Sequence, residues 1–306
     1  MSLGTLSNVT KSMPKKLLLV DSNALFHRSR SALTRAMGEM VTSYGAPVTG
    51  TYGFLNALFA LMEQYQFDCV VPIYDRGGNW RKKESTEYKA DREGYSDAHR
   101  SDMGMLIEDV LPSLGFTPVG VEGVEADDVI ATLSRNAPAF DEIFLFTCDK
   151  DLLQLVTNKV KVILFSSAKK IKVVDIDGVL EIFGVYPSEV KYHKALAGDS
   201  SDNIAGIKGI GPKTAVKIIE ECRPTEINPE FTGADKIALH LKVRENAATF
   251  LANLRIITLE NDVPGVVWFA SSPPQPESVQ GILTALEFKS MLKRLKKIQT
   301  TLGCSV

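Results

Sequence analysis

Short apolar runs alternate with helical patterns along the first 175 residues of the chain. Four runs have the length and composition of buried strands: Leu17–Val20, Cys69–Tyr74, Ile143–Thr147 and Val160–Phe165. Apolar residues at helical spacing predict helices over three further stretches: Thr51–Tyr65, Ser101–Leu114 and Ala126–Arg135. This alternation is typical of an α/β fold, so we expect a central, mostly parallel sheet that is flanked by helices.

This pattern is interrupted once and then ends. Residues 76–100 are polar, with seven Lys/Arg against five Asp/Glu, and a loop of that length inside a compact domain is usually functional or mobile. After about residue 176 only helices are predicted: Asp177–Phe183, Ser188–Ala197, Pro212–Glu221, Ala234–Thr258 and Leu283–Lys297. We therefore expect a flexible leader at 1–14, an α/β core at 15–175 and a helical region at 176–306.

Acidic residues mark the ends of the predicted strands. Asp21, Asp75 and Asp149 each follow a strand directly, and ligands in open α/β sheets bind just beyond the carboxyl ends of the strands. Six more acids lie in the short motifs VEADDV, TCDKD and GDSSDN: Glu125, Asp127, Asp128, Asp151, Asp199 and Asp202. A single acid at a helix start can simply complement the helix dipole, but nine such coincidences are improbable.

Clustered carboxylates repel one another unless cations neutralise them. A ligand set that contains only oxygen suits Mg²⁺ or Mn²⁺. Two such ions, about 3.5–4 Å apart, would hold the attacking and leaving oxygens of a phosphodiester. The acids therefore predict a site for two divalent ions.

A glycine-rich segment, GIKGIGPKTA at Gly206–Ala215, precedes one of the predicted helices. Its glycines allow close backbone approach, Pro212 suits the first helical turn, and backbone N–H groups there can hold a phosphate. A dinucleotide-binding motif is excluded because the segment does not follow a strand. The alternative is a tight turn between helices with Ile207 and Ile210 in the core, and the two interpretations are compatible.

Amino-acid composition, net charge and cysteine spacing limit the classes of protein to which this chain can belong. Hydrophobic residues make up 44% and charged residues 24% of the 306, which is ordinary for a globular chain. The net charge of −2 gives no overall basic excess, so any nucleic-acid site must arise from local patterning. The four cysteines are widely spaced, which argues against a zinc site or a disulfide framework. No signal peptide or membrane span is recognisable, and we expect a cytoplasmic protein of a bacterial cell or a phage-infected host.

The order of these motifs resembles the 5′ nuclease family. The matching segments are LLLVD, Y-D, Y-K, GVEADDV, TCDKDL and GDSSDNIAGIKGIGPKTA. The family includes flap endonucleases, phage-type 5′→3′ exonucleases and the amino-terminal domain of bacterial DNA polymerase I. The likeness runs from about Lys15 to Leu295. It implies a PIN-like core, a helical arch at 76–100 through which a single-stranded 5′ end passes, and a helix–three-turn–helix motif at 195–222.

The resemblance also implies roles for individual residues. The nine acids would bind metal ions, directly or through water. Three basic residues would act at the scissile phosphate: Lys89 and Arg81 in the arch and Arg28 near the first strand. The residues expected to contact DNA are Tyr88, Gly206, Lys208, Gly209, Gly211, Lys213 and Thr214. The glycine-rich segment can also hold K⁺ on backbone carbonyls.

The implied function is a metal-dependent, structure-specific 5′ nuclease with 5′→3′ exonuclease and 5′-flap endonuclease activity on DNA, in replication or repair. It would use Mg²⁺ or Mn²⁺. Its partners would be DNA with 5′ flaps, nicks or 5′ ends, with RNA primer strands as a further option, and it would be a monomer.

Three alternatives compete with this function. A PIN-like ribonuclease would share the acidic core, but small PIN domains lack the arch and the glycine-rich segment. A catalytically dead DNA-binding relative would be expected to have lost some of the acids, and all nine positions are acidic here. An α/β protein with a merely solvated acidic rim would require the motif order to be chance.

Overall fold

A computed structural model describes residues 14–90, 94–167, 170–222, 238–266 and 273–303. Except for Pro14, the expected leader lies outside these ranges. The main sheet has five strands in the order β2-β1-β3-β4-β5. Their bounds are β1 Lys16–Asp21, β2 Cys69–Ile73, β3 Glu142–Thr147, β4 Val160–Ser167 and β5 Lys170–Val174. The first four are parallel and β5 is antiparallel to β4, which confirms the mostly parallel sheet.

The register of the sheet brings the ends of three strands to one edge. Leu17 pairs with Cys69 and Asp21 with Ile73, while Val20 pairs with Phe146, so β1, β2 and β3 end together. The four predicted strands are confirmed. β5 was not predicted because its sequence, KIKVV, alternates lysine with apolar residues, as is common for a partly exposed edge strand.

Helices cover both faces of the sheet. In the first half of the chain they are α1 Ser22–Met37, α2 Thr49–Met62, α3 Trp80–Glu84, α4 Asp97–Met105, α5 Leu111–Ser113 and α6 Ala126–Arg135. In the second half they are α7 Ile176–Phe183, α8 Val190–Ala197, α9 Pro212–Cys222, α10 Ala238–Glu245, α11 Ala247–Ile257, α12 Pro276–Ala285, α13 Lys289–Leu292 and α14 Leu295–Thr301. None of the helices in the described ranges is long and apolar enough to cross a bilayer.

Three expected helices are divided in the structure. Residues 106–110, between α4 and α5, form a π-helical turn just before Pro112, which cannot donate a backbone hydrogen bond. The helix predicted at 234–258 is described from residue 238 and breaks at Asn246. The helix predicted at 283–297 is wrong as a single element, because Glu287 adopts a left-handed backbone (φ +57°) between α12 and α13.

The apolar core has one layer on each face of the sheet. On one face α6, α8, α9 and α11 pack around β1 and β3 through residues such as Val129, Leu196 and Phe250. On the other face α1 and α2 pack with the carboxyl-terminal helices through residues such as Leu58 and Leu283. Residues 273–303 therefore return to the α/β part of the chain, and the boundary near residue 175 stays a prediction.

Candidate metal and nucleic-acid site

Asp21 ends β1 and precedes α1, which places its carboxylate at the shared edge of the sheet. Its Oδ1 accepts the N–H of Ala24 at 3.0 Å, and its Oδ2 accepts the hydroxyl of Thr147 at 2.7 Å. Burial raises the pKa of Asp21 to about 7, although both hydrogen bonds oppose that shift. The negative charges of Asp149 and Asp75 raise the pKa of Asp21 further, because like charges repel one another at this edge of the sheet.

Hydrogen bonds to the backbone hold the other two strand-end acids. The Oδ1 of Asp75 accepts the N–H of Ala126 at 2.7 Å, and the N–H of Asp75 donates to the side chain of Asn23 at 3.0 Å. The Oδ1 of Asp149 accepts the N–H of Asp151 at 2.8 Å. The contacts of Asp75 link the end of β2 to α1 and α6, and the contact of Asp149 lies within the turn that follows β3.

The carboxylates line one open cleft of about 290 Å³. Five acids form its walls: Asp21, Asp75, Glu125, Asp127 and Asp149. The other lining residues are Asn23, Ala24, His27, Lys89, Tyr95 and Ala126. The predicted convergence of the strand-end aspartates is thus confirmed, whereas their role as metal ligands stays a prediction.

The donors of this cleft fit a hard divalent cation. They are carboxylate oxygens, and burial together with the charges of Asp21 and Asp149 raises the pKa of Asp127 well above its usual range. The cleft therefore carries an excess of negative charge that a cation would neutralise. As placed, no three His, Cys, Asp or Glu side chains in the described ranges are close enough to ligate one ion together.

Three further acids lie beside lysines. The ammonium of Lys194 is 2.6 Å from Oδ2 of Asp199 and also contacts Oδ1 of Asp151. Burial alone would raise the pKa of Asp199, but Lys194 lowers it below its usual range. Asp202 lies 3.8 Å from the ammonium of Lys89. Asp151, Asp199 and Asp202 are not among the residues that line the cleft.

The structure corrects the expected placement of Arg81 and Asp128. The side chain of Arg81 is 2% exposed, and that of Asp128 is fully buried. The two guanidinium NH₂ groups donate to the two carboxylate oxygens of Asp128, each at 2.8 Å, and one of them also donates to Glu125 at 2.9 Å. The Nε of Arg81 donates to the carbonyl of Ile256 at 2.7 Å. Since neither Arg81 nor Asp128 lines the cleft, we infer that this pair anchors α3 to α6.

Lys89 does face the cleft, as expected. Its ammonium donates to Oε1 of Glu125 at 2.6 Å, and its backbone is left-handed (φ +52°), which is uncommon for a residue with a side chain. Burial alone would lower the pKa of Lys89, but Glu125 and Asp202 raise it above its usual range. Lys89 therefore carries a proton at neutral pH.

Tyr88 and Arg28, which are also predicted to contact the substrate, differ in how exposed their side chains are. Tyr88, expected to contact DNA, is only 4% exposed, and its hydroxyl lies 3.3 Å from Oε2 of Glu125. The structure therefore places the side chain of Tyr88 in the protein interior and not on a surface that could contact DNA. Arg28 is exposed on α1, as a phosphate contact requires. Burial raises the pKa of Cys148, which follows β3, to about 12, and the positive charge of Arg28 opposes this shift.

The glycine-rich segment forms the turn before α9. Ile207 and Ile210 are 3% and 4% exposed, which confirms the packed turn. The segment's exposed residues are Lys208, Gly209, Gly211, Pro212 and Lys213, whereas Thr214 and Gly206 are half-buried. A Cβ at Gly206 would lie 2.3 Å from the carbonyl carbon of Ala197, so this glycine is required by packing.

Sequence reasoning missed two features of the site. Lys194 has only one signal, its position five residues before Asp199. The second feature is an aromatic cluster at the cleft, where the ring of Tyr95 stacks on those of His27 and His99 at 4.4 and 4.3 Å. The two imidazoles are joined by a 2.8 Å hydrogen bond between α1 and α4.

The chain is similar to known proteins over most of its length. A family model described as the 5′-3′ exonuclease N-terminal resolvase-like domain matches residues 16–184. A second, the 5′-3′ exonuclease C-terminal SAM fold, matches residues 185–279. The chain is 34% identical over 290 residues to DNA polymerase I of Caldicellulosiruptor bescii, a match that covers 92% of this chain and 33% of that protein. It thus spans about a third of that polymerase.

A shorter relative and two solved structures are also similar. The 5′-3′ exonuclease of Bacillus subtilis is 38% identical over 208 residues, which are 67% of this chain and 70% of that protein. The zinc-bound T5 5′-exonuclease has a TM-score of 0.63 at 20% identity, covering 94% of this chain and all of that one. Flap endonuclease-1 from Methanococcus jannaschii has a TM-score of 0.59 at 16% identity, covering 94% and 91%. At such identities the structures show a common fold.

Proposed function

Because the chain belongs to the 5′-3′ exonuclease family, we propose that it is a metal-dependent 5′ nuclease that hydrolyses phosphodiester bonds of DNA near junctions of single strand and duplex. One observation carries the proposal. Five carboxylates from four separate segments of the chain line one cleft with the protonated Lys89. That combination supports the proposal because a divalent cation could bind the carboxylates while the ammonium of Lys89 contacts a phosphate beside it.

The residues of the cleft would have two different roles in the reaction. Asp21, Asp75, Asp127 and Asp149 would hold Mg²⁺ or Mn²⁺, and the bound metal supplies charge neutralisation and a more acidic attacking water. Lys89 would stabilise the charge that grows on the scissile phosphate during in-line attack. Its contact with Glu125 keeps the ammonium oriented at the wall of the cleft.

The duplex would lie on the turn before α9. Lys208 and Lys213 are exposed there beside Gly209 and Gly211, and the first turn of a helix favours phosphate. These contacts would carry no sequence information, so binding would depend on DNA shape and on salt. A K⁺ ion on this turn, the threading of a 5′ strand through residues 76–100, and the monomeric state remain predictions.

Labelled 5′-flap, nicked, blunt and 3′-flap duplexes, incubated with the intact chain, test this function. We expect Mg²⁺-dependent cleavage near the junction of the 5′-flap substrate, no cleavage in EDTA, and little cleavage of the 3′-flap substrate. An RNA flap on the same duplex measures the preference for DNA. Cleavage of single-stranded RNA alone would favour the PIN-like ribonuclease instead, and equal cleavage in EDTA would exclude the metal-dependent reaction.

A further inference from the structure

Two distant segments of the chain are joined by hydrogen bonds beside Lys89. The N–H of Lys89 donates to the carbonyl of Asp202 at 3.0 Å, and the side-chain amide of Asn203 donates to the carbonyl of Glu87 at 3.0 Å. Asn203 and Glu87 are 116 residues apart in sequence, so only the tertiary structure brings the two segments together.

Each segment carries a left-handed residue at this contact. Within the described ranges, the residues other than glycine with a positive φ are Lys89 (+52°), Asn203 (+55°) and Glu287 (+57°). Asparagine adopts this conformation readily, but a lysine keeps it only where the surrounding structure holds it there. The turn around Lys89 is closed by a hydrogen bond of 3.1 Å from the N–H of Ala90 to the carbonyl of Glu87, and Asn203 donates to that same carbonyl.

The backbone of this turn decides where the ammonium of Lys89 lies. The direction of a side chain follows from the backbone dihedrals, so a change of φ at Lys89 would redirect its side chain. In the observed conformation the side chain is 12% exposed, and its ammonium lies 2.6 Å from Oε1 of Glu125 at the wall of the cleft. Such placement matters for a reacting group, because a displacement of about 1 Å can slow a reaction about 100-fold.

We propose that Asn203 is a positioning residue for Lys89: its amide holds the turn at 87–90 so that the ammonium faces the scissile phosphate. This inference rests on the proposed function of the cleft. The hydrogen bond to Asp202 uses its backbone carbonyl and is compatible with the predicted metal-binding role of its carboxylate. Asn203 lies three residues before Gly206, so the same contact ties the position of Lys89 to the segment that would bind duplex.

A double-variant cycle on single-turnover cleavage of the 5′-flap substrate tests the proposal. Asn203→Gly removes the amide but permits a left-handed backbone, and it should lower the rate at saturating enzyme about tenfold or more, with substrate affinity close to wild type. Combined with Lys89→Met, it should cause almost no further loss, because the lysine that it positions is already absent. Glu287→Gly, which replaces the left-handed residue between α12 and α13, is the control and should leave the rate unchanged.

Hydrogen exchange in EDTA measures the position of Lys89 without metal or DNA. In a chain labelled with ¹⁵N-lysine, the amide signal of Lys89 is the one that Lys89→Met removes. Because this amide donates to Asp202, we expect it to exchange about tenfold or more slowly than in an unstructured peptide of the same sequence. Most of that protection should be lost in Asn203→Gly and kept in Glu287→Gly.

The two measurements separate the possible outcomes. A folded Asn203→Gly that cleaves at the wild-type rate would overturn the proposal, as would an equal loss in the Lys89→Met background, because Asn203 would then act on something other than Lys89. If circular dichroism shows that Asn203→Gly does not fold, the exchange of the wild type decides: an unprotected amide of Lys89 overturns the proposal and a protected one supports it. A wild type that cleaves no flap contradicts the proposed function, and the exchange of Asn203→Gly then still decides whether Asn203 holds Lys89.

Discussion

The ammonium of Lys89 lies 2.6 Å from Oε1 of Glu125, and this contact joins the polar segment after β2 to the start of α6. The other oxygen of Glu125 receives Arg81 at 2.9 Å and lies 3.3 Å from the hydroxyl of Tyr88. Burial alone would raise the pKa of Glu125, but Lys89 and Arg81 hold it below its usual range. Glu125 is therefore ionised, and its two oxygens connect Arg81, Tyr88 and Lys89 to the wall of the cleft.

Lys89→Met is expected to slow the chemical step. Because Lys89 lines the cleft and remains protonated, its loss should lower the single-turnover rate at saturating enzyme on the order of 100-fold, with substrate affinity close to wild type. Rapid-quench measurements at two salt concentrations separate the rate from the affinity.

The matched control for this experiment is Lys83→Met, which removes an exposed lysine of the same segment. It should change affinity only modestly, with a loss that shrinks as salt rises, because an exposed charge is screened. If Lys89→Met behaves like Lys83→Met, Lys89 only attracts DNA.

Asp127→Asn is expected to make the protein more stable and less active. Burial and the charges of Asp21 and Asp149 disfavour the ionised carboxylate of Asp127, so the neutral amide should stabilise the protein in EDTA by about 1 kcal/mol. The same change should reduce Mg²⁺-dependent cleavage on the order of 100-fold or more. Urea unfolding and flap cleavage measure the two effects, with the exposed Asp109→Asn as control. A less stable Asp127→Asn would show that the cleft is not overcharged.

The two exposed glycines before α9 should respond differently to a side chain. Gly209 has a φ of +80°, so Gly209→Ala should destabilise the fold by about 1–2 kcal/mol. A Cβ at Gly211 meets nothing within 4 Å, so Gly211→Val should leave stability nearly unchanged while weakening binding to nicked duplex at least several-fold. Fluorescence anisotropy measures the binding. Gly281→Val, equally open but on α12, is the control, and unchanged DNA affinity in Gly211→Val would remove this turn from the interface.

The buried Arg81–Asp128 pair should behave as one structural unit. Arg81→Met or Asp128→Asn leaves an uncompensated polar group in the interior, and each should reduce the free energy of unfolding by about 3–5 kcal/mol. The double variant should lose less than the sum of the two. Denaturant unfolding of the four proteins gives this coupling. Additive losses would show that the two side chains act independently.

Glu63 should make stability depend on pH. The carboxylate is 12% exposed at the end of α2 and contacts Arg294 and Lys297, the latter at 2.7 Å. Burial alone would raise its pKa, but these two cations lower it below its usual range. The contribution is therefore present above the ordinary glutamate pKa of about 4.3 and is lost as the pH falls through the lowered value.

Glu63→Gln should accordingly cost about 1 kcal/mol at pH 7, and this cost should shrink as the pH falls below the ordinary glutamate pKa of about 4.3. Thermal unfolding between pH 3 and 8 measures the difference. Glu108→Gln, at an exposed position, should show no such profile. A loss that persists at low pH would mean that Glu63 acts by packing and not by charge.

Much of the site follows from local sequence patterns. Buried parallel strands read as apolar runs, and strands that run in parallel and end in register bring the residues after them to one edge. The convergence of Asp21, Asp75 and Asp149 is therefore predictable from the sequence alone. The packed turn at Ile207 and Ile210 is predictable as well, because its glycines and Pro212 leave few other conformations.

The partners of the charges were decided by tertiary structure. Arg81 and Asp128 are 47 residues apart in sequence, and Lys194 and Asp151 are 43 apart. An arginine in a polar segment looks the same in the sequence whether it faces DNA or a buried carboxylate. Only the packing of α3 and α8 against the acidic motifs brings these charges within 3 Å of one another in surroundings that exclude water. The sequence by itself determined which acids this protein has and at which edge they gather, and the tertiary structure decided which of them remain uncompensated.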